Sequence, residues 1–222
     1  MLKIAPYCCI FCGSLDGHQR QVCDICHANL PWLTCVCQRC HQPLHKDQSL
    51  CGNCLKHHAY YDQITAVFEY LEPIVGAIHA LKFGGKRQVA RALATLFKEQ
   101  YPDILLPDIL IPMPLHPKRH SQRSFNQAIE IAKPLRRLYK IPIARKWVVR
   151  IKHTKPQAQC QAKQRRENVK DAFKVIKPVQ DKHIVIIDDI VTTGSTVNEL
   201  AKTLKKAGAR RVDVWCLSRA AR

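Results

Sequence analysis

The sequence predicts an α/β fold in which a mainly parallel, twisted sheet carries helices on both faces, preceded by a small cysteine-rich, metal-binding domain. Two observations lead to this prediction. Ten of the twelve cysteines lie within the first 54 residues of the 222-residue chain. Beyond them, short apolar segments alternate with segments of helical periodicity, as in parallel sheets covered by helices. We therefore expect a cysteine-rich domain at 1–58 and an α/β domain at 59–222.

Eight of the cysteines form four Cys-x-x-Cys pairs in a repeated arrangement. The pairs are Cys9 and Cys12, Cys23 and Cys26, Cys37 and Cys40, and Cys51 and Cys54, with ten residues between the two pairs of each half. A tight turn aims two thiolates at one ion, and the returning chain brings a second pair opposite, which completes a tetrahedral sulfur shell. We therefore predict two structural zinc sites. Whether the pairs combine in chain order or cross over stays open, and Cys8 or Cys35 could replace a neighbour.

Disulfides, or a thioredoxin-like redox role for one pair, are the alternatives for these cysteines. The amino terminus lacks the long apolar stretch of a signal peptide, and no apolar run approaches the ~20 residues that span a bilayer. We therefore expect a cytoplasmic protein without membrane insertion. Its thiols would stay reduced, which favours metal binding over disulfides.

The remainder of the chain predicts alternating strands and helices. We expect strands at 64–70, 109–111, 147–149 and 184–187, and helices at 73–81, 89–97 and 126–139. The segment Ile184–Ile187 is apolar at every position, so it predicts a central strand. Asp188 and Asp189 follow at its carboxyl end, where open α/β sheets bind ligands, and we expect both to be exposed.

A hydroxyl-rich loop of Thr192, Thr193, Gly194, Ser195 and Thr196 then leads into a helix. We expect Thr196 and Glu199 to form a capping box at the start of this helix. Backbone amides at a helix amino terminus, together with hydroxyl groups, form a cradle for an anion. Paired carboxylates before such a cradle can accept hydrogen bonds from vicinal sugar hydroxyls or hold Mg²⁺. These groups together predict a site for a ribose 5-phosphate.

Competing phosphate-binding motifs are absent from the sequence. Neither G-x-x-x-x-G-K-[ST] nor G-x-G-x-x-G occurs, which excludes a P-loop and the dinucleotide-binding fingerprint. Two alternatives remain: a Walker B-like strand, which lacks its partner loop here, and a structural strand–turn–helix unit that carries surface aspartates.

The net charge of +19 is concentrated in one part of the chain. From 115 to 170 the sequence has sixteen Lys or Arg residues and two acids, so this segment carries 16 − 2 = +14. A soluble basic surface would need no more than this. Charge of one sign at such density attracts phosphates, however, so a polyanionic partner is the stronger hypothesis.

Residues 184–196 resemble the PRPP-binding motif of type I phosphoribosyltransferases, and the chain as a whole resembles the ComF family. The segments that carry the second resemblance are the four Cys-x-x-Cys pairs, 78–84 (IHALKFG), 112–119 (PMPLHPKR), 123–127 (RSFNQ), 154–157 (TKPQ), 166–168 (REN) and 212–217 (VDVWCL). One departure is Ser124, where we expect glycine in the family pattern.

The resemblance implies a role for each matching residue. It places Asp188 and Asp189 at the ribose hydroxyls as the candidate catalytic residues, and the loop 192–196 at the 5-phosphate of PRPP. It further implies pyrophosphate contacts from Lys118, Arg119 and Arg123, another phosphate contact from Lys82, and Mg²⁺ bound with PRPP.

Two functions follow from the resemblance. The first is binding of PRPP or ribose 5-phosphate together with single-stranded DNA, within natural transformation, with a competence helicase as a further partner left open. The basic residues Lys152, Lys155, Arg165 and Arg166 are the candidates for the DNA contacts. The second function is transfer of ribosyl 5-phosphate from PRPP to an unidentified acceptor. That activity needs a hood over the acceptor; we expect none at the carboxyl terminus, which leaves the zinc domain as a candidate.

Overall fold

The computed structural model describes residues 7–44, 48–84, 87–116, 125–152 and 169–220. In chain order the elements are α1 (Asp24–Ala28), α2 (Gly52–Lys56), β1 (Gln63–Glu69), α3 (Ile74–Gly84), α4 (Arg87–Gln100), β2 (Ile109–Pro112), α5 (Gln127–Tyr139), β3 (Val148–Arg150), β4 (Phe173–Val175), β5 (His183–Val191), α6 (Ser195–Lys206) and β6 (Arg211–Arg219).

Four parallel strands form the central sheet, in the order β1–β6–β5–β2. Helices α3, α4 and α5 cover one face, where Trp215 of β6 packs against Phe97 and Tyr139 at ring-centroid distances of 5.3 and 5.1 Å. Helix α6 covers the other face with Val197 and Leu200, both of which are buried. A parallel sheet with helices on both faces was the predicted fold, and it is confirmed.

Two elements differ from the sequence prediction. The segment predicted as a strand at 147–149 is β3, which lies outside the main sheet and pairs antiparallel with β4. Strand β5 does not end at Ile187 but continues to Val191, because its partner β6 continues to Arg219. Asp188 and Asp189 therefore lie within the strand and are partly buried, so the expectation that they would be exposed at its end was wrong.

The start of α6 also differs from expectation. Gly194, with a φ of 76°, is its N-cap in place of Thr196, so the predicted capping box does not form. Thr193 Oγ1 accepts a hydrogen bond from the Ser195 amide at 3.4 Å. Glu199 instead accepts a hydrogen bond from the Asp171 amide at 3.0 Å, which ties α6 to the chain before β4. Glycine is required at position 194 because an L-residue is strained in this left-handed conformation.

The cysteine-rich part packs along the outer edge of β1. The Leu33 amide donates to Val67 O at 2.9 Å, and the Glu69 amide donates to Pro31 O at 2.8 Å. An antiparallel bridge joins Trp32 to Phe68 between these bonds. The edge strand is thus covered, as unpaired sheet edges require.

The predicted boundary between residues 58 and 59 falls in the segment between α2 and β1. Two cores cross this boundary. Cys9 and Cys23 belong to the core on the α4 face of the sheet, while Cys37 and Cys54 belong to the core on the α6 face. Division into two domains there stays a prediction. Among the described residues, no helix is long and apolar enough to cross a membrane.

Candidate functional site

The eight paired cysteines form two clusters. One cluster consists of Cys9, Cys12, Cys23 and Cys26, and the other of Cys37, Cys40, Cys51 and Cys54, with the four sulfurs of each within 4.8 Å of one another. The pairs therefore combine in chain order, and Cys8 and Cys35, which are both exposed, belong to neither cluster.

The sulfur geometry of both clusters fits zinc. The Sγ atoms of Cys12 and Cys23 are 3.7 Å apart, and those of Cys40 and Cys51 are 3.5 Å apart. A tetrahedral shell with Zn–S bonds of about 2.3 Å places its sulfurs about 3.8 Å from each other. All four positions of each shell are supplied by protein, which is typical of a structural site.

Each cluster also contains one thiol that ionises readily. Burial alone raises the pKa of a cysteine, but backbone hydrogen bonds, the strongest from Cys12, outweigh it and lower the pKa of Cys9 to about 6. The pKa of Cys37 is likewise raised by burial and lowered by backbone hydrogen bonds, the strongest from Cys40, to about 7. Thiolates are the form that binds metal, so the backbone prepares both clusters for it.

An acid pair lies near the carboxyl end of β5. Asp188 Oδ1 accepts a hydrogen bond from the Asp189 amide at 3.0 Å. Burial, and secondly the charge of Asp189, raise the pKa of the Asp188 carboxyl well above its usual range. Lys82 of α3 lies against the second acid, with its Nζ 2.9 Å from Asp189 Oδ2. In this structure Lys82 therefore pairs with an acid, whereas the sequence predicted that it would contact phosphate.

The loop 192–196 follows directly after β5 and leads into α6. Thr193 Oγ1 and Ser195 Oγ lie 2.9 Å apart, and the Asn198 amide donates to Gly194 O at 2.9 Å. The loop therefore presents hydroxyl groups at the amino terminus of a twelve-residue helix. An anion is favoured at such a helix amino terminus by the helix dipole and by the hydroxyl groups beside it.

A cleft of about 530 Å³ opens beside this loop. One wall is formed by Thr193 to Ser195 together with the start of α6, and the other by Lys56, His57 and His58 from the end of the second cysteine cluster. The sequence left the zinc domain as a candidate hood, but these residues were not predicted, because no local pattern links residue 56 to residue 195.

Relatives of known name match the whole chain. The DNA utilization protein YhgH of Salmonella typhimurium is 34% identical over 225 residues, which cover 99% of each chain. Competence protein F of Haemophilus influenzae is 33% identical over 230 residues, which cover 99% of this chain and 100% of that protein. The chain belongs to the ComF family.

The family model of the phosphoribosyl transferase domain matches residues 127–222, from the start of α5 onward. Purine phosphoribosyltransferase from Pyrococcus horikoshii Ot3 is similar in structure with a TM-score of 0.33 and 21% identity, over 59% of this chain and 70% of that chain. The family match and the parallel sheet with helices on both faces agree with the predicted type I phosphoribosyltransferase-like fold of this ComF protein.

Several predicted ligand residues of the ComF protein lie outside the described residues. These are Lys118, Arg119 and Arg123 of the pyrophosphate segment, and Lys155, Arg165 and Arg166 of the basic segment. Lys152 is described, and its Nζ donates to Lys170 O at 2.9 Å.

Sequence reasoning missed three other residues at the site. Lys170 and Lys202 line the cleft beside the loop, and Arg219 is buried beneath it. A lone arginine at the end of an apolar strand was the available signal for Arg219. No sequence signal marked the two lysines, because lysine on a surface helix or turn is common.

Proposed function

We propose that this ComF protein binds PRPP or ribose 5-phosphate at the acid pair and the loop 192–196, binds single-stranded DNA, and acts in DNA uptake during natural transformation. The observation that carries the proposal is the position of the acid pair in the carboxyl-terminal half of β5, with two residues between it and a hydroxyl-rich loop that leads into α6. A phosphate site and a pair of hydroxyl acceptors, separated by two residues of strand, match the two ends of a ribose 5-phosphate.

In this proposal each part of the site has one task. The amides and hydroxyls of 193–196 hold the 5-phosphate, as helix amino termini hold phosphates in other proteins. Asp188 and Asp189 accept hydrogen bonds from the ribose hydroxyls, and their oxygens are also the ligands that Mg²⁺ prefers. Bound with PRPP, Mg²⁺ would offset charge on the pyrophosphate. Lys82 holds Asp189 in place at 2.9 Å.

DNA binding is supported by charge and by the relatives. The chain carries a net charge of +19, and its relatives bear the names competence protein F and DNA utilization protein. Lys152 lies beside Lys170, and Lys170 shares the cleft with Lys56 and Lys202. These lysines suit the phosphates of a strand, whose affinity for proteins comes mainly from such contacts.

Isothermal titration of PRPP, with and without Mg²⁺, tests the nucleotide site. We expect binding by the wild type and none by the double variant Asp188→Ala with Asp189→Ala. The matched control removes two exposed acids elsewhere, Glu99→Ala with Asp103→Ala. Circular dichroism of all three proteins shows that the fold survives. Equal affinity in the acid-pair variant and the control would refute the site.

A second candidate function is transfer of ribosyl 5-phosphate from PRPP to an acceptor. The cleft of about 530 Å³ favours it, because a base could be held between the loop and the second cysteine cluster, with that cluster as a hood. Release of pyrophosphate during incubation with PRPP, Mg²⁺ and a panel of nucleobases would establish the transfer. Binding without release across the panel would leave the protein as a binder.

A further inference from the structure

The side chain of Arg219, the last residue of β6, is buried between the second cysteine cluster and the phosphate loop. It is 1% exposed, and within the described ranges no carboxylate lies at ion-pair distance from it. Burial of a charge is costly unless the charge is fully hydrogen bonded. The buried guanidinium of Arg219 lies directly under the loop that leads into α6.

The partners of Arg219 are backbone carbonyls from both sides. Its Nε donates to Cys40 O at 2.9 Å, and Cys40 belongs to the second cysteine cluster. Its Nη1 donates to Val191 O at 2.7 Å and to Thr192 O. One planar guanidinium therefore links the backbone of a metal-ligand residue to the first residue of the phosphate loop.

These bonds also orient the loop amides. In a trans peptide the C=O and the following N–H point in opposite directions. Because Arg219 holds Val191 O and Thr192 O, the amides of Thr192 and Thr193 point away from the buried guanidinium. An anion bound at this loop would balance the charge of the buried cation.

A second set of contacts joins the same two parts. The Tyr60 amide donates to Asn198 Oδ1 of α6 at 2.7 Å, and a Cβ added at Gly194 would lie 3.8 Å from the hydroxyl of the buried Tyr61. The first cluster is placed differently, since Cys9 and Cys23 belong to the core on the opposite face of the sheet.

We propose that Arg219 is a positioning residue that makes the phosphate affinity of loop 192–196 depend on metal at the second cysteine cluster, and not on metal at the first. The proposal rests on the proposed function for its ligand. Metal fixes Cys40 and with it the direction of the Cys40 carbonyl. Loss of the metal releases that carbonyl, so Arg219 loses an acceptor and the loop loses its anchor. The two sites are thereby coupled in free energy.

The experiment compares the full-length protein with two matched variants, Cys51→Ser in the second cluster and Cys12→Ser in the first. Elemental analysis gives the zinc content of each. Ribose 5-phosphate affinity is measured by calorimetry, and deuterium uptake of the peptide covering 191–198 by mass spectrometry. For Cys51→Ser we expect affinity about tenfold weaker and faster exchange, and for Cys12→Ser a change of less than about twofold.

A third variant, Arg219→Met, separates the arginine from the metal. It should retain two zinc ions and show the same faster exchange at 191–198 as Cys51→Ser. If Arg219→Met does not fold, the comparison of the two cysteine variants still decides the coupling. Equal effects of Cys51→Ser and Cys12→Ser, or wild-type exchange in Arg219→Met, would overturn the proposal. Absence of ribose 5-phosphate binding in the wild type would refute the proposed function alone, because the exchange comparison needs no ligand.

Discussion

The ammonium of Lys82 lies 2.9 Å from Asp189 Oδ2, and both side chains are largely buried, at 19% and 15% exposure. In the described part of the chain, one cation therefore accompanies two adjacent acids. Asp188, the unmatched member, has a raised pKa because of burial and the neighbouring charge of Asp189. A proton or a metal ion would balance the remaining negative charge of the acid pair. The response of the site to mutation and to pH should follow from this imbalance.

Replacing Lys82 should destabilise the protein. In Lys82→Met, Asp189 keeps its partly buried position without its cation, so the free energy of unfolding should fall by about 2 kcal/mol. Lys206→Met, which removes an exposed lysine from α6, is the control and should change it by less than about 0.5 kcal/mol. Urea denaturation measures both. The double variant Lys82→Met with Asp189→Asn should recover part of the lost free energy of unfolding. If the second substitution instead lowered stability by the same amount again, the pairing would be contradicted.

Replacing Asp188 should change the pH dependence of stability. Its folded pKa lies well above that of an unperturbed aspartate, so the folded protein holds a proton where the unfolded chain has released it. Protonated Asp188 therefore stabilises the folded wild type fully at pH values below the unfolded pKa. This stabilisation is lost as pH rises through the folded pKa. Asp188→Asn keeps an oxygen for the Asp189 amide and cannot ionise. Relative to wild type, this variant should therefore be more stable at pH 8 than at pH 5.

Urea denaturation at the two pH values, with the exposed Asp103→Asn as control, gives the comparison. A stability difference that is the same at both pH values would mean that the pKa of Asp188 is not raised by folding.

The purified protein should contain two zinc ions. Eight of the twelve cysteines lie in the clusters, so at most 12 − 8 = 4 thiols should react rapidly in the native protein. All twelve should react after chelation in denaturant. Removal of zinc should lower stability because metal binding contributes to the folding of such modules. Metal analysis and thiol titration provide the numbers. Fewer than twelve thiols after denaturation without reductant would indicate disulfides instead.

Single-stranded DNA should bind with a steep dependence on salt. Each neutralised phosphate contributes a slope of about −0.7 in a plot of log affinity against log salt. Charge reversal at Lys170 and Lys202, which line the cleft, should reduce both the affinity and the slope, whereas reversal at the exposed Lys206 should not. Fluorescence anisotropy of a labelled oligonucleotide at two salt concentrations measures this. Binding that ignores salt would remove DNA from the proposed partners.

The sequence predicted those features whose signal is local. Cysteine spacing predicted two metal sites but not which pairs combine, and an apolar run followed by two acids and a hydroxyl-rich loop predicted the existence of β5 and α6 but not the cap of α6. The length of β5 was missed because it depends on pairing with β6, which continues to Arg219. The partners of Lys82 and Arg219 were missed for the same physical reason. Each lies far from its partner in the chain, and only packing brings them into contact.

The bridge between Trp32 and Phe68 protects the protein from aggregation through the edge of its sheet. It covers the border of β1, so a fragment that begins at residue 59 would leave that border bare and able to recruit a second copy by strand addition. Loss of zinc would have a similar effect on the whole chain if it released residues 31–33, which lie between the two clusters in the sequence. Zinc scarcity would then appear as aggregation of this protein, and its abundance in soluble form would report the metal supply.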